Sequence, residues 1–262
     1  DNIKRMNISL KEFKEIEDKL NDKGISTASE LILGLPGETR ESHLKGLKDL
    51  FDCNASAIVC YNLRMLNGAE LNTEKSRKKF GIRTEYRLID GGFGRYDGIL
   101  SIEHEEMVLQ TNTMTKEDIL YFRPIHFLIQ FLWNYKYYAE LINFIRTKGI
   151  NPIDFMIVVI ENKDIADEPV KAIFSDFARE THDEWFDSEE ELYRHYSHPD
   201  NFEKISKGGF GKLNYKYTYR FLLECKEPFD KYLFKIAYDM VASRKKAGAG
   251  IKEEVADLLR FT

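Results

Sequence analysis

The residues most able to shape a ligand site in this chain lie close together, at Gly34-Leu35-Pro36-Gly37-Glu38. Two glycines let a backbone turn tightly and come close to a ligand. The proline fixes one torsion, and the glutamate adds a carboxylate. The apolar run before them, Leu31-Ile32-Leu33, is bounded by Gly and Pro and reads as a buried parallel strand. Ligands of α/β sheets sit at the carboxyl ends of strands. The GLPGET turn is therefore the first place to look for a site, although an ordinary strand-to-helix turn has the same pattern.

Other chemistry is thin. His43, His104, His126, His182, His195 and His198 are scattered, and neither a Ser-His-Asp nor a Cys-His arrangement emerges. His195 and His198 are three apart without a third metal ligand at suitable spacing. Glu103, Glu105 and Glu106 read as a solvated face, with an exposed His104 among them. Cys53, Cys60 and Cys225 form neither a disulfide framework nor a metal cluster. They read as reduced thiols, with Cys60 in the core. No metal-binding residue is assigned. The glycine-rich stretch Asp90 to Gly98 lacks a Walker lysine and a G-x-G-x-x-G register, and reads as a surface loop.

The elements that position the turn follow from periodicity. Ser9 caps a helix over 10–23, with Leu10, Phe13, Ile16 and Leu20 on one inward face and Gly24 after it. A strand at 28–34, a helix at 40–52 (Leu44, Leu47, Leu50 and Phe51 inward) and a strand at 57–63 come next. Helix-strand-helix-strand is the pattern of right-handed parallel α/β units. Two strands alone do not make a stable sheet, so this part reads as the tail end of a larger barrel or sheet. A short basic helix over 72–81 and a strand at 99–110 follow.

From Thr115 the pattern is helical. Thr115 with Asp118, and Ser188 with Glu191, form capping boxes. Pro124 must begin or kink a helix. Gly149 closes one helix, Asn151-Pro152 opens another, and Pro169 marks the start of the next. Helical patterns continue at 214–226, 228–246 and 251–260. Phe122, Phe127, Phe131 and Trp133 read as core. The fold class is α/β followed by all-α, divided into 1–111 and 112–262.

Bulk properties limit the function classes. The chain has 262 residues, 43% hydrophobic and 32% charged, with a net charge of −5. That balance has no basic block for wrapping nucleic acid. No apolar run is long enough to span a membrane and no signal-peptide pattern opens the chain, so a cytoplasmic location is expected.

The ordered set Asn2-Ile3-Lys4-Arg5-Met6-Asn7, ELILGLPGET, Tyr61-Asn62-Leu63 and Asn67-Gly68-Ala69-Glu70-Leu71 resembles the radical S-adenosylmethionine enzymes. It is most similar to their cobalamin-associated branch, which Glu105 to Asp118 and the aromatic helix after it also fit. The resemblance covers about residues 1–150.

It implies a partial, TIM-like (β/α)6 barrel whose first strand is followed by a CxxxCxxC loop for a 4Fe-4S cluster. That triplet does not occur here, and the two strands match the fifth and sixth. The chain, which opens on Asp1 rather than Met, is thus expected to be the C-terminal fragment of a longer enzyme. The rest would bind the cluster and cobalamin, and this chain alone would be inactive.

The implied activity is reductive cleavage of S-adenosylmethionine to a 5′-deoxyadenosyl radical, in this branch for methyl transfer to an unactivated carbon. The implied partners are a small-molecule substrate and an electron donor. By the same resemblance, Arg5 approaches the S-adenosylmethionine carboxylate, and Ile32 and Gly34 pack against the adenine. Glu38 is the acidic end of the motif, Asn62 and Leu63 meet the adenine edge, and Gly68 forms the turn beyond. The rival expectation is a non-catalytic helical interaction module attached to a degenerate barrel.

Overall fold

The computed structural model describes residues 7–209 and 212–244, together with Glu254 and Leu258; the side chains of residues 208 and 209 are not described. Arg5 and most of the helix expected over 251–260 lie outside the described residues.

The first 62 residues run α1 (Leu10–Asn21), β1 (Ser29–Leu33), α2 (Arg40–Asp52), β2 (Ile58–Asn62). β1 and β2 pair in parallel, with Leu31 opposite Cys60 and Leu33 opposite Asn62. α2 starts at Thr39, whose side chain accepts from the backbone of Ser42, and its buried stripe is His43, Leu47 and Phe51. α3 (Glu74–Phe80) leads into a long antiparallel hairpin, β3 (Arg83–Tyr96) and β4 (Ile99–Gln110). The hairpin reaches the first sheet where Arg64, just past β2, bridges to Met107. Among the described residues there are two two-stranded sheets and no closed barrel.

The glycine-rich stretch is not the surface loop its composition suggested. It forms the end of β3, with an irregularity between Leu88 and Phe93, and only Asp97-Gly98 turns. Both turn residues have positive φ, 49° and 84°. Asp-Gly between two runs able to pair is a strong hairpin signal, and cross-strand pairing overrides the low strand propensity of glycine.

The inward face expected for α1 is also corrected. Leu10 and Ile16 are 49% and 46% exposed, while Glu17 is 3% exposed. The helix docks through polar contacts. Asn21 donates to the carbonyl of Asn54 (2.9 Å), Asn54 donates to Asp18 (2.8 Å), and Thr27 donates to Glu17 (2.5 Å). Satisfying Glu17 and the 53–57 connection fixes the helix's rotation, so that Leu10 and Ile16 face outward while Phe13 and Leu20 are half-buried.

The second half is helical: α4 (Lys116–Leu128), a widened π segment (Ile129–Asn134), α5 (Ala139–Thr147), α6 (Pro152–Glu161) and α7 (Glu168–Asp183). After it come α8 (Glu189–Ser197), α9 (Pro199–Lys204), α10 (Leu213–Glu224) and α11 (Lys226–Ala242). Thr115 caps α4 in a box with Asp118, and Pro124 is accommodated inside it, one turn before the π segment.

Phe127, Phe131, Phe177, Phe221 and Phe229 form a stacked core, with the rings of Phe131 and Phe229 nearly parallel at 5.6 Å. Pairs of this kind add about 0.5–1.5 kcal/mol each beyond their buried area. One apolar cluster contains these rings together with Leu33, Leu47, Phe51 and Ile58. Asn134 joins the halves by accepting from the Ile58 N–H (3.0 Å) and donating to the Ile58 carbonyl (2.7 Å). No described helix is long and apolar enough to cross a membrane.

Candidate functional site

The site is the carboxyl edge of β1 and β2. The sheet has two faces. Leu31 and Leu33 point to the helical core, whereas Ile32 packs toward a smaller cluster of Leu63, Met65, Phe80, Ile82 and Val108. That alternation is the period of two expected of a strand.

Beyond Leu33 the chain must reverse at once. Gly34 has φ +90°, and Glu38 N–H donates to the Leu35 carbonyl (2.9 Å) with Gly37 at φ +87°. Pro followed by Gly at the two central positions is the type II signature. A side chain at Gly34 would meet Ile119 at 3.6 Å and Val108 at 3.8 Å. The space beside Gly34 is therefore filled by this chain's own core.

Glu38 uses both carboxylate oxygens. Oε2 accepts from the Gly34 N–H (2.8 Å) and Oε1 lies 2.8 Å from His43 Nδ1. His43 Nε2 lies 3.1 Å from His126 Nε2, so α2 and α4 meet through two imidazoles. A carboxylate accepts only, so the His43 Nδ1–H donates to it and one proton lies between the two Nε2 atoms. Burial holds His126 well below its ordinary range, helped by the nearby charges of His43 and Arg123. Phe122 packs its edge on His43 (4.6 Å) and stacks on His126 (5.8 Å). Thr113 completes the clamp by donating to the Glu38 carbonyl (2.5 Å).

At the end of β2, Leu63 N–H donates to the Leu33 carbonyl and the Leu63 carbonyl accepts from Val108 N–H, both at 2.9 Å. The amide Nδ2 of Asn62 is buried and has no hydrogen-bond partner among the described residues. Gly68 (φ +81°) sits in a second turn, closed by Ala69 N–H to the Leu66 carbonyl (3.1 Å), and nothing lies within 4 Å of where its side chain would be.

The fold thus brings Ile32, Gly34, Glu38, Asn62 and Leu63 to one edge, with Gly68 beyond it. Reading the histidines as scattered missed the His43–His126 contact. A signal existed, since His43 shares the 43/47/51 stripe of α2 and His126 sits in the apolar run of α4. Contact between two helices 83 residues apart is not itself a sequence property. His195 and His198 do not converge on a ligand set: His195 packs on Phe186 (5.2 Å), and His198 lies 4.0 Å from Asp200. Among the described residues no three His, Cys, Asp or Glu side chains form a group able to hold a metal.

No family model matches the chain. Two bacterial methyltransferases are similar to it. One, a cobalamin-dependent radical SAM methyltransferase (TokK) of Streptomyces tokunonensis, is 32% identical over 147 residues, 55% of this chain. The other, a 2-(S-pantetheinyl)-carbapenam-3-carboxylate methyltransferase of Streptantibioticus cattleyicolor, is 30% identical over 148 residues, 56% of this chain. In both cases the matched stretch spans 21% of the relative's own length.

Proposed function

We propose that this chain is the C-terminal part of a cobalamin-dependent radical S-adenosylmethionine methyltransferase. In that reading β1 and β2 are the last two strands of a partial barrel, 1–111 is the barrel portion and 112–262 is a helical domain sharing its core. The observation that carries the proposal is the similarity over 147 residues to a methyltransferase of that type. Two structural features support it. Among the described residues β1 pairs with β2 alone, and Leu10 and Ile16 of the apolar stripe of α1 face outward. Parallel sheets are ordinarily continued and covered on both faces, so an open edge and an open stripe suit a neighbouring strand and helix.

S-adenosylmethionine fits the carboxyl edge in one specific respect: Asn62 offers a buried amide donor without an acceptor, and a purine edge has ring nitrogens to accept it. Ile32 offers a half-buried apolar flank beside it. Gly34, Glu38 and Leu63 have already committed their hydrogen-bonding groups to the chain. Their role is to hold the edge in shape, as Gly68 does for the second turn, while Arg5 is proposed to meet the carboxylate. S-adenosylmethionine bound here supplies the adenosyl group that is cleaved reductively. This chain's residues bind and orient it.

The cysteines do not fit a 4Fe-4S cluster. Cys53 and Cys225 are buried far apart in sequence, and burial pushes the Cys60 thiol up to about 12, away from the thiolate a metal needs. Cluster and cobalamin chemistry is therefore assigned to the remainder of the parent protein.

The test is anaerobic assay of the full-length protein. It should convert S-adenosylmethionine to 5′-deoxyadenosine under reducing conditions, and Asn62→Leu should weaken S-adenosylmethionine binding. A correctly folded full-length protein that forms no 5′-deoxyadenosine would overturn the enzymatic reading. Unchanged affinity in Asn62→Leu would remove Asn62 from the site.

A further inference from the structure

At the opposite, amino end of β1 and β2 lies an open cleft of about 700 Å³. Its floor is the connection between α2 and β2, at Asn54 and Ser56. The two sides carry opposite charge. α1 and its C-cap contribute Asp18, which lies 3.9 Å from Lys14 Nζ, and Asp22, one helical turn apart and so on one face. The helical half contributes Lys136 and Arg146. Asn54 separates them, donating to Asp18 at 2.8 Å and accepting from Arg146.

Among the described residues, neither cation has a carboxylate within 4 Å. Lys136 donates to the Ser56 carbonyl (2.8 Å) and Arg146 donates through Nη2 to the Phe51 carbonyl (2.9 Å), where it also caps the end of α2. The bonds to Phe51 and Asn54 occupy only Nη2 of Arg146, and Nε and Nη1 have no acceptor among the described residues; the Lys136 ammonium also lies over the Trp133 ring, 4.0 Å from its centroid. Across the cleft, Asp22 is exposed and its carboxylate has no hydrogen bond or ion pair among the described residues.

Two further observations point to a ligand. Of the three described non-glycine residues with positive φ, Asn54 and Lys136 both line this cleft. A lysine there is held against its backbone preference, a kind of strain that gathers at functional sites. Trp133, also in the wall and 7% exposed, has an indole Nε1–H that is closed to solvent and without an acceptor among the described residues.

We propose that the cleft binds a dipolar small molecule of the α-amino acid class. Its carboxylate lies on Lys136 and Arg146, and its ammonium on Asp18 and Asp22. A plain anion would face two carboxylates and a plain cation two basic groups; a zwitterion satisfies both sides. The proposal is independent of the carboxyl-edge reading, because it concerns the other end of the strands.

Calorimetric titration of the full chain tests it with four probes: L-phenylalanine, glycine, N-acetyl-L-phenylalanine (anion only) and L-phenylalanine amide (cation only). Saturable binding of a free amino acid is expected, with each capped probe about tenfold weaker. Asp22→Asn and Lys136→Asn should each weaken the free amino acid by about tenfold, since each removes one charge of the pair. Asparagine tolerates positive φ. Asp22 has no partner to lose, so that variant separates binding from folding. The proposal is overturned if neither free amino acid binds, if a capped probe binds as tightly as the zwitterion, or if either substitution leaves the affinity unchanged. Inorganic phosphate bound more tightly than both amino acids would mark a plain anion site and overturn it as well.

Discussion

The turns that follow β1 and β2 use the same backbone device and are held differently. Each is a four-residue turn with glycine at its third position, Leu35-Pro36-Gly37-Glu38 after β1 and Leu66-Asn67-Gly68-Ala69 after β2. The first is tied through Glu38 to Gly34, His43 and His126, and so to the buried faces of α2 and α4. The second is exposed at its tip, with open space around Gly68. A turn's sequence gives its local shape, and what it touches determines whether that shape is rigid. A preorganised rim on the first strand and an adaptable one on the second is compatible with the ligand edge proposed above.

The largest effect that sharpens this contrast is expected at Gly34. Gly34→Val puts a β-branched residue at φ +90° and pushes it toward Ile119 and Val108. Chemical denaturation should show a loss of about 2–4 kcal/mol. Stability within error of wild type would mean that the first turn is as loosely held as the second.

Next comes the histidine contact. His43→Leu removes a partner from both Glu38 and His126, and a loss of about 1–3 kcal/mol is expected in the same measurement. Because the two imidazoles form one network, His43→Leu and His126→Leu should be non-additive by more than about 0.5 kcal/mol in a double-mutant cycle. Simple additivity would break the tie between α2 and α4.

Smallest is Gly68→Ala. No atoms stand in the way, so only the positive φ resists it, and about 1 kcal/mol or less is expected from the melting curve. A cost matching that of Gly34→Val would show that the second turn is also buried, in solution, against something else.

The histidine pair adds a pH dependence that the second turn lacks. His126 has its pKa lowered in the fold from an ordinary 6.5. The folded state then binds fewer protons than the unfolded state below that value. The contribution is fully present above about pH 6.5 and is lost as pH falls toward the lowered value. Denaturation midpoints measured from pH 8 down to 5 should decline, and His126→Gln should flatten the decline. A wild-type midpoint constant over that range would show that His126 is not held neutral by the fold.

Much of the local structure was legible because it rests on neighbours in sequence. Ser9, Thr115, Asn151 and Ser188 all accept from backbone amides two or three residues later, as their types and positions suggested. The strand expected at 28–34 and found at 29–33, the helix at 40–52 and the parallel direction of the two strands follow from the apolar run, the Gly-Pro break and the 3.6-residue stripe. Even the turn was readable, since proline and glycine impose its torsions.

What sequence patterning alone could not decide is which face of an element finds a partner. Leu10, Phe13, Ile16 and Leu20 form a good apolar stripe on α1, yet the helix is turned so that Glu17 is buried, because Thr27 and the 53–57 connection satisfy polar groups there. The glycine-rich stretch has weak strand propensity, but Ile99–Gln110 supplies the partner that makes it a strand. His43 and His126 each sit on an apolar stripe, and only the packing of α2 against α4 brings their rings within 3.1 Å. The sequence by itself determined β1, α2, β2, the main helix caps and the turn at Gly34, since those depend on torsions and on contacts three or four residues away. The tertiary structure alone decided the outward rotation of α1, the commitment of Glu38 to His43, the orphaned amide of Asn62 and the two-signed cleft. Each of these depends on residues brought together from distant parts of the chain, where desolvation and hydrogen-bond satisfaction outweigh local propensity.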